Sequence, residues 1–155
     1  MIVFLDTGVL GLASSPKNSG DVFACKQWLF HLIARGVFVV TSDICDYEVR
    51  RSLILASFRD NKEEGIQNLT DLQEIIDFLP VTQDALHQAA YLWASSRRQG
   101  QPTADSKTLD ADVIIAAQCQ LLQQEYLGQT LTIATTNVNH LSRFIDAQEW
   151  QEITF

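Results

Sequence analysis

Apolar residues fall along this chain in two rhythms, short unbroken runs and longer stretches at helical spacing. Ile2-Val3-Phe4-Leu5 and Val37-Phe38-Val39-Val40-Thr41 belong to the first kind. They are partly β-branched, the pattern of strands covered on both faces. Leu131 to Thr135 is a third such run. Between the runs, Asp21 to Arg35 carries Val22, Cys25, Leu29, Leu32 and Ile33 at helical spacing and stops at Arg35-Gly36. Ser42 caps a helix expected to reach about Phe58, and Ile66 to Phe78 predicts another. Thr82 to Gln99 predicts a helix ended by Gly100, and a further one runs from about Asp110 to Tyr126. Leu79-Pro80-Val81 has room only for an edge strand. Val138 to Phe144 predicts a helical turn, and Glu152-Ile153-Thr154 a last strand. Arg59 to Glu64 and the polar Gln101 to Thr108 read as connections.

Strands alternating with helices indicate an α/β fold with a central, mainly parallel sheet and right-handed crossovers. The chain has 155 residues, no internal repeat and no linker-like tract, so one domain over 1–155 is expected. No window approaches the ~20 apolar residues needed to cross a bilayer. The greasiest stretch, Trp28 to Val40, is interrupted by His31, Arg35 and Gly36. The N-terminus has no basic region and carries Asp6 where a signal peptide is apolar, so no export signal is inferred. Cys25, Cys45 and Cys119 are scattered, odd in number and lack metal-type spacing; they read as reduced core residues of a cytoplasmic protein.

The formal charge of −8 argues against holding nucleic acid by bulk electrostatics. It leaves a nuclease open, because an acidic metal site contributes negative charge and a local basic rim can still hold phosphates. Four segments bring suitable chemistry. Asp6 ends the first strand, and a parallel strand ending this way delivers its acid to the carboxyl edge of the sheet, where α/β folds bind ligands. Asp6 or Thr7 could equally be only the N-cap of the next helix. Glu48 lies one turn into the helix after the second strand, on a stripe with Ile44 and Leu55. A carboxylate on an apolar face is costly unless it is paired or binds a cation; a salt bridge to Arg51 is the plainer alternative. Asp112 opens a helix that continues Val113-Ile114-Ile115-Ala116-Ala117, with Asp110 as a candidate N-cap. An acid there is also favoured by the helix dipole alone. Finally, Thr135 and Asn137 follow the Leu131–Thr135 strand, where Asn137 is a ligand candidate or simply a turn residue.

In order and spacing, Leu5-Asp6-Thr7, Glu48, Asp112-Val113-Ile114-Ile115-Ala116-Ala117 and Thr135-Thr136-Asn137 with His140 resemble the PIN-domain proteins. The likeness covers nearly the whole chain and is greatest to the VapC-type toxins of bacterial toxin–antitoxin pairs. It implies a Rossmann-like three-layer fold in which clustered carboxylates hold Mg²⁺ or Mn²⁺ and RNA phosphodiester bonds are cleaved. By that carry-over Asp6, Glu48 and Asp112 form the acidic triad. Asn137 stands in the neighbourhood of an absent fourth acid, with Thr7, Asp110 and Thr135 in support. Gly8 stands where the family often has Asn or Ser. Mg²⁺ prefers oxygen ligands and keeps several waters, which suits these residue types. Arg50, Arg51, Arg97, Arg98, Lys107 and Arg143 are candidates for an RNA-binding rim.

The resemblance also implies a cognate antitoxin, which could insert an arginine among the carboxylates, since a guanidinium matches their geometry. A homodimer is expected through Arg59–Phe78 and Thr82–Gln99, read as a helical hairpin exposing Phe78, Tyr91 and Trp93. The alternative is a PIN-like fold of weak or no activity serving as an RNA-binding or protein-interaction module. Asp6-Thr7-Gly8 also matches the aspartic-protease triplet, but Val9 and the helical content disfavour it. A dehalogenase-like phosphatase needs a second Asp where Gly8 stands.

Overall fold

The computed structural model describes residues 1–100 and 109–154. Five strands form one sheet: β1 (Ile2–Leu5), β2 (Phe38–Ser42), β3 (Asp77–Leu79), β4 (Leu131–Thr135) and β5 (Ala147–Glu149). Their order is β3-β2-β1-β4-β5 and every pairing is parallel, with Ile2 opposite both Phe38 and Leu131. Strands β1 and β4 are buried along their whole length, as unbroken apolar runs require when both faces are covered. The PIN-like α/β architecture expected from the sequence is present.

Among the described residues seven α-helices flank the sheet: α1 (Thr7–Ser14), α2 (Gly20–Ala34), α3 (Asp43–Asp60), α4 (Glu64–Leu72), α5 (Gln83–Arg98), α6 (Leu109–Glu125) and the short α7 (Val138–Leu141). Their ends follow local chemistry. The Ser42 side chain accepts from Ile44 N–H at 3.1 Å and starts α3 where β2 stops. Asn61, in the left-handed region at φ 53°, ends it. Gly36, at φ 75°, makes the turn from α2 into β2 that a residue with a Cβ would resist. The main core gathers Phe4, Leu5, Leu10, Leu29, Val40 and Ile133 around the central strands, and a smaller cluster of Ala89, Val113 and Ala117 joins α5 to α6.

Four expectations change. The helix read over Ile66–Phe78 ends at Leu72, and Asp77–Leu79 becomes the edge strand beside β2. Helical spacing continues to Ile76, but Phe78 and Leu79 are drawn to the sheet edge, and Pro80 has no N–H with which to extend the ladder. Gln118 of α6 fixes that end, its Nε2 donating to the carbonyls of Leu79 and Pro80 at 3.4 and 3.1 Å. The last strand is Ala147–Glu149 rather than 152–154, because Trp150 turns off in a 3-10 helix to pack against Trp28, ring centroids 5.6 Å apart. The Ile44–Glu48–Leu55 stripe is not a buried face, since Leu55 is 63% exposed. The expected hairpin is also absent: α4 packs on α1 and α3, whereas α5 packs along α6. Strand β3 separates the two helices in sequence and sends them to different neighbours.

Inside the sheet, Thr41 Oγ1 of β2 donates to the Leu5 carbonyl at 2.8 Å in a fully buried position. Thr41→Val keeps the shape and removes that donor, so it is expected to cost about 1–2 kcal/mol. In urea the midpoint should fall with the slope unchanged.

Candidate active site

In a parallel sheet every strand ends on the same edge, so residues following β1, β2 and β4 meet there. Asp6 follows β1 directly. It is buried, at 9% exposure, and caps α1: Oδ1 accepts from Val9 N–H at 2.9 Å. Its other oxygen, Oδ2, accepts from the Thr135 hydroxyl at the end of β4. Asp6 is therefore both the helix cap and a carboxylate at the sheet edge, and the two readings of its role are not exclusive. Burial raises its carboxyl above the usual carboxylate range. Thr135, Val9 N–H and Gly8 N–H draw it back, and the negative charge of Asp112 adds to the rise.

Glu48 comes from α3. Its Oε1 accepts from the Thr7 hydroxyl at 2.8 Å, tying α3 to the first residue of α1. Its Oε2 lies 3.6 Å from Arg51 Nη2, the i+3 pair anticipated as the plainer alternative. With Arg51 mostly exposed this pair contributes little to stability. Asp112 lies in the first turn of α6, half-buried, with Oδ2 3.5 Å from His140 Nδ1. Its carboxyl too is raised, first by burial and then by the charge of Glu48, while His140 and Arg143 pull it down. Asp110 is not the N-cap: α6 begins at Leu109, and Asp110 is exposed beside Leu86, Trp93 and Val113 in the groove between α5 and α6.

On the β4–α7 turn, Asn137 is exposed and its backbone N–H donates to Thr135 Oγ1 at 2.9 Å. This bond and the one to Asp6 hold Thr135 as a hinge between strand and acid. The turn also explains Gly8. A Cβ at residue 8 would stand 2.5 Å from Thr136 Oγ1 and 3.5 Å from Asp6 Oδ1. The Thr136 hydroxyl occupies that space. His140 and Thr136 are the participants that sequence reasoning left without a role; their signal was position alone, within the polar residues that follow a buried strand.

The basic candidates separate. Arg50 is engaged in the scaffold, with Nε and Nη2 donating to the two oxygens of Asp46 at 3.0 and 2.8 Å and Nη1 donating to Thr70 of α4 at 3.1 Å. Arg51 lies over the Tyr47 ring, 5.2 Å from its centroid, and Arg97 over Trp93 at 4.3 Å. Arg143 lies over Phe144 at 5.6 Å and contributes to the field at Asp112. Arg98 is exposed at the end of α5. Lys107 lies outside the described residues.

The donor set is chemically suited to a hard divalent cation. It consists of carboxylates, hydroxyls and an amide, and the nearby Cys45 thiol, pushed up to about 12 by burial, stays protonated. The negative charge of Asp112 raises Asp6 and that of Glu48 raises Asp112, and a cation among them would relieve that repulsion. Among the described residues no three or more His, Cys, Asp or Glu side chains are gathered closely enough to hold an ion.

No family model matches the chain, and no curated protein matches its sequence. Solved structures do match it over nearly its full length. VapBC-1 from nontypeable Haemophilus influenzae aligns at TM-score 0.65 and 17% identity, covering 98% of this chain and 100% of that one. FitAcB from Neisseria gonorrhoeae aligns at 0.67 and 23%, covering 97% and 99%. VapBC2 from Rickettsia felis, bound to a DNA fragment from their promoter, aligns at 0.70 and 16%, again covering 97% and 99%. The class is thus the PIN-like α/β fold. Within it, the chain is similar to members of VapBC and FitAcB complexes, at an identity that speaks for the fold alone.

The close approach of Thr136 to Gly8 gives a test by double substitution. Alanine is favoured over glycine in a helix by roughly 0.5–1 kcal/mol. In the Thr136→Ala background, Gly8→Ala should therefore stabilise the chain by up to about that amount. In the wild-type background the displaced hydroxyl should cancel the gain. Equal effects in both backgrounds, read from urea midpoints, would show that the two residues do not meet.

Proposed function

We propose that this chain is a Mg²⁺- or Mn²⁺-dependent endoribonuclease, the toxin component of a type II toxin–antitoxin pair. The observation that carries the reading is a chain of like charges across three elements at the carboxyl edge of a PIN-like sheet: the charge of Asp112 raises the Asp6 carboxyl, and the charge of Glu48 raises that of Asp112. Buried like charges are costly to keep, and a bound cation is the simplest compensation. Asp6, Glu48 and Asp112 would hold the ion, directly or through waters, with Asn137 at the open side. When bound, the ion supplies Lewis-acid stabilisation at the phosphoryl oxygens and makes the attacking water more acidic. The chain's own residues do the positioning. Thr135 and the first N–H groups of α1 fix the Asp6 carboxylate, and Thr7 orients Glu48. His140 orients Asp112 from the β4 side.

A second reading, a PIN-like module of weak or no activity, is favoured by one specific feature. Glu48 and Asp112 each already face a basic group, Arg51 and His140. The fourth acid that the resemblance implies near the Thr135–His140 turn is also absent, with Asn137 in its neighbourhood. The solved complexes of similar fold support a protein partner for this chain as well. We propose a cognate antitoxin that neutralises the acids with an inserted arginine, whose planar fork suits carboxylates. No helix among the described residues is long and apolar enough to cross a membrane.

The dimer proposal rests on α5, where Leu86 and Trp93 are exposed along the groove with α6 and Tyr91 is exposed outside that groove's lining. Phe78 is half-buried at the sheet edge and drops out of that patch.

Two measurements test these proposals. Asp112→Asn should fold normally and lose metal-dependent RNA cleavage by about 100-fold or more. The wild-type chain should gain about 2.7 kcal/mol of stability at an ion concentration about 100 times its Kd, and the variant most of it should lose. Undiminished cleavage by the purified variant excludes the assigned role. Light scattering at micromolar concentration should return twice the 17.4 kDa chain mass, and a strictly monomeric mass removes the dimer.

A further inference from the structure

One arrangement beside the acids has no part in the chemistry above. Tyr47 precedes Glu48 on α3 and its side chain faces outward, 57% exposed. Leu55 and Phe58 of the same helix are exposed too, and Tyr47 differs from them in the cation beside its ring. One turn later, Arg51 lays its guanidinium over that ring at 5.2 Å while one of its nitrogens stays 3.6 Å from Glu48 Oε2. The guanidinium thus lies between ring and carboxylate and remains mostly exposed. Arg50, its neighbour, is turned away into the scaffold by Asp46 and Thr70.

We propose that Tyr47 and Arg51 form a nucleobase platform, on which a base of single-stranded RNA next to the cleaved phosphate stacks. Rings and guanidinium planes are the surfaces on which unpaired bases stack, and they accept any base because each has a π-face. The position fits the ligand: Arg51 faces Glu48, so a base stacked there lies beside the proposed cleavage site. The positive charge of Arg51 attracts that phosphate on a chain whose net charge is −8. A paired duplex keeps its bases inside and offers the platform nothing, so the platform selects unpaired RNA. This assignment rests on the ribonuclease reading for its substrate, but its binding step needs no catalysis.

The test uses a single-stranded RNA of about ten nucleotides carrying 2-aminopurine at successive positions, with EDTA present so that no cleavage occurs. The wild-type chain is expected to quench the fluorescence at one position, with the duplex of the same sequence binding far more weakly. Tyr47→Phe should keep both quenching and affinity. Tyr47→Leu should lose the quenching and weaken binding roughly 5- to 100-fold. Arg51→Lys keeps the charge without the plane and should also lose affinity. Unchanged binding and quenching in Tyr47→Leu overturns the platform, as does equal affinity for the duplex. A parallel cleavage assay in Mn²⁺ separates the two ideas. Cleavage without any Tyr47 effect leaves the nuclease and removes the platform. Localised quenching without cleavage leaves the platform and removes the nuclease.

Discussion

The hydrogen bonds to Asp6 are the constraint on which the site depends. One oxygen caps α1 and the other receives the Thr135 hydroxyl, so a single carboxylate joins β1, α1 and β4 at the point where the sheet opens. Those bonds are strongest to the ionised acid, yet burial and the neighbouring Asp112 push toward the protonated form. The scaffold and the chemistry therefore ask opposite things of the same group. Neutralising the charge would loosen the cap, and keeping it leaves a repulsion for a cation to relieve. The second tether, from Thr7 to Glu48, passes the same tension to α3, because Thr7 is the first residue of the helix that Asp6 caps.

Stability and function are consequently coupled at this edge rather than divided between core and site. The interior is conventional, with β1 and β4 fully enclosed by apolar side chains. It fixes the strand ends to which the polar residues are attached. The cost of the site is borne locally, in Asp6 and Asp112, whose carboxyls burial raises. His140 reduces that cost at Asp112, which it faces at 3.5 Å.

The central strands and their acids were legible in the sequence because an unbroken β-branched run stopping at Asp6 or at Thr135 leaves little choice of structure. Ser42 and Gly36 likewise announced their turns through cap chemistry and backbone freedom. The edges were not legible. Strands β3 and β5 span three residues each, too short to show a period, and their pairing is decided by where Phe78 and Trp150 find room. Adjacent amphipathic helices were read as a hairpin, but neighbours in sequence are not neighbours in space once a strand intervenes. The fates of Arg50 and Arg51 differ for a reason that composition cannot carry. On one helix, a residue's angular position decides between Asp46 with Thr70 and Glu48 with Tyr47. Asp110 and Asp112 part for the same reason, one toward α5 and the other toward His140.

The brevity of the outer strands has a further meaning for how this chain meets other proteins. An exposed sheet edge is a template for self-association, and its hazard grows with the length of unpaired backbone. Here the sheet tapers from five residues in β2 and β4 to three in β3 and β5. Pro80 ends one border, and Gln118 already occupies the carbonyls of Leu79 and Pro80. A foreign strand laid along either border would find only a few ladder bonds to make. The molecule is thereby guarded against fibrillar stacking, and a binding partner must win its affinity from side chains on the helices, not from an extension of the sheet.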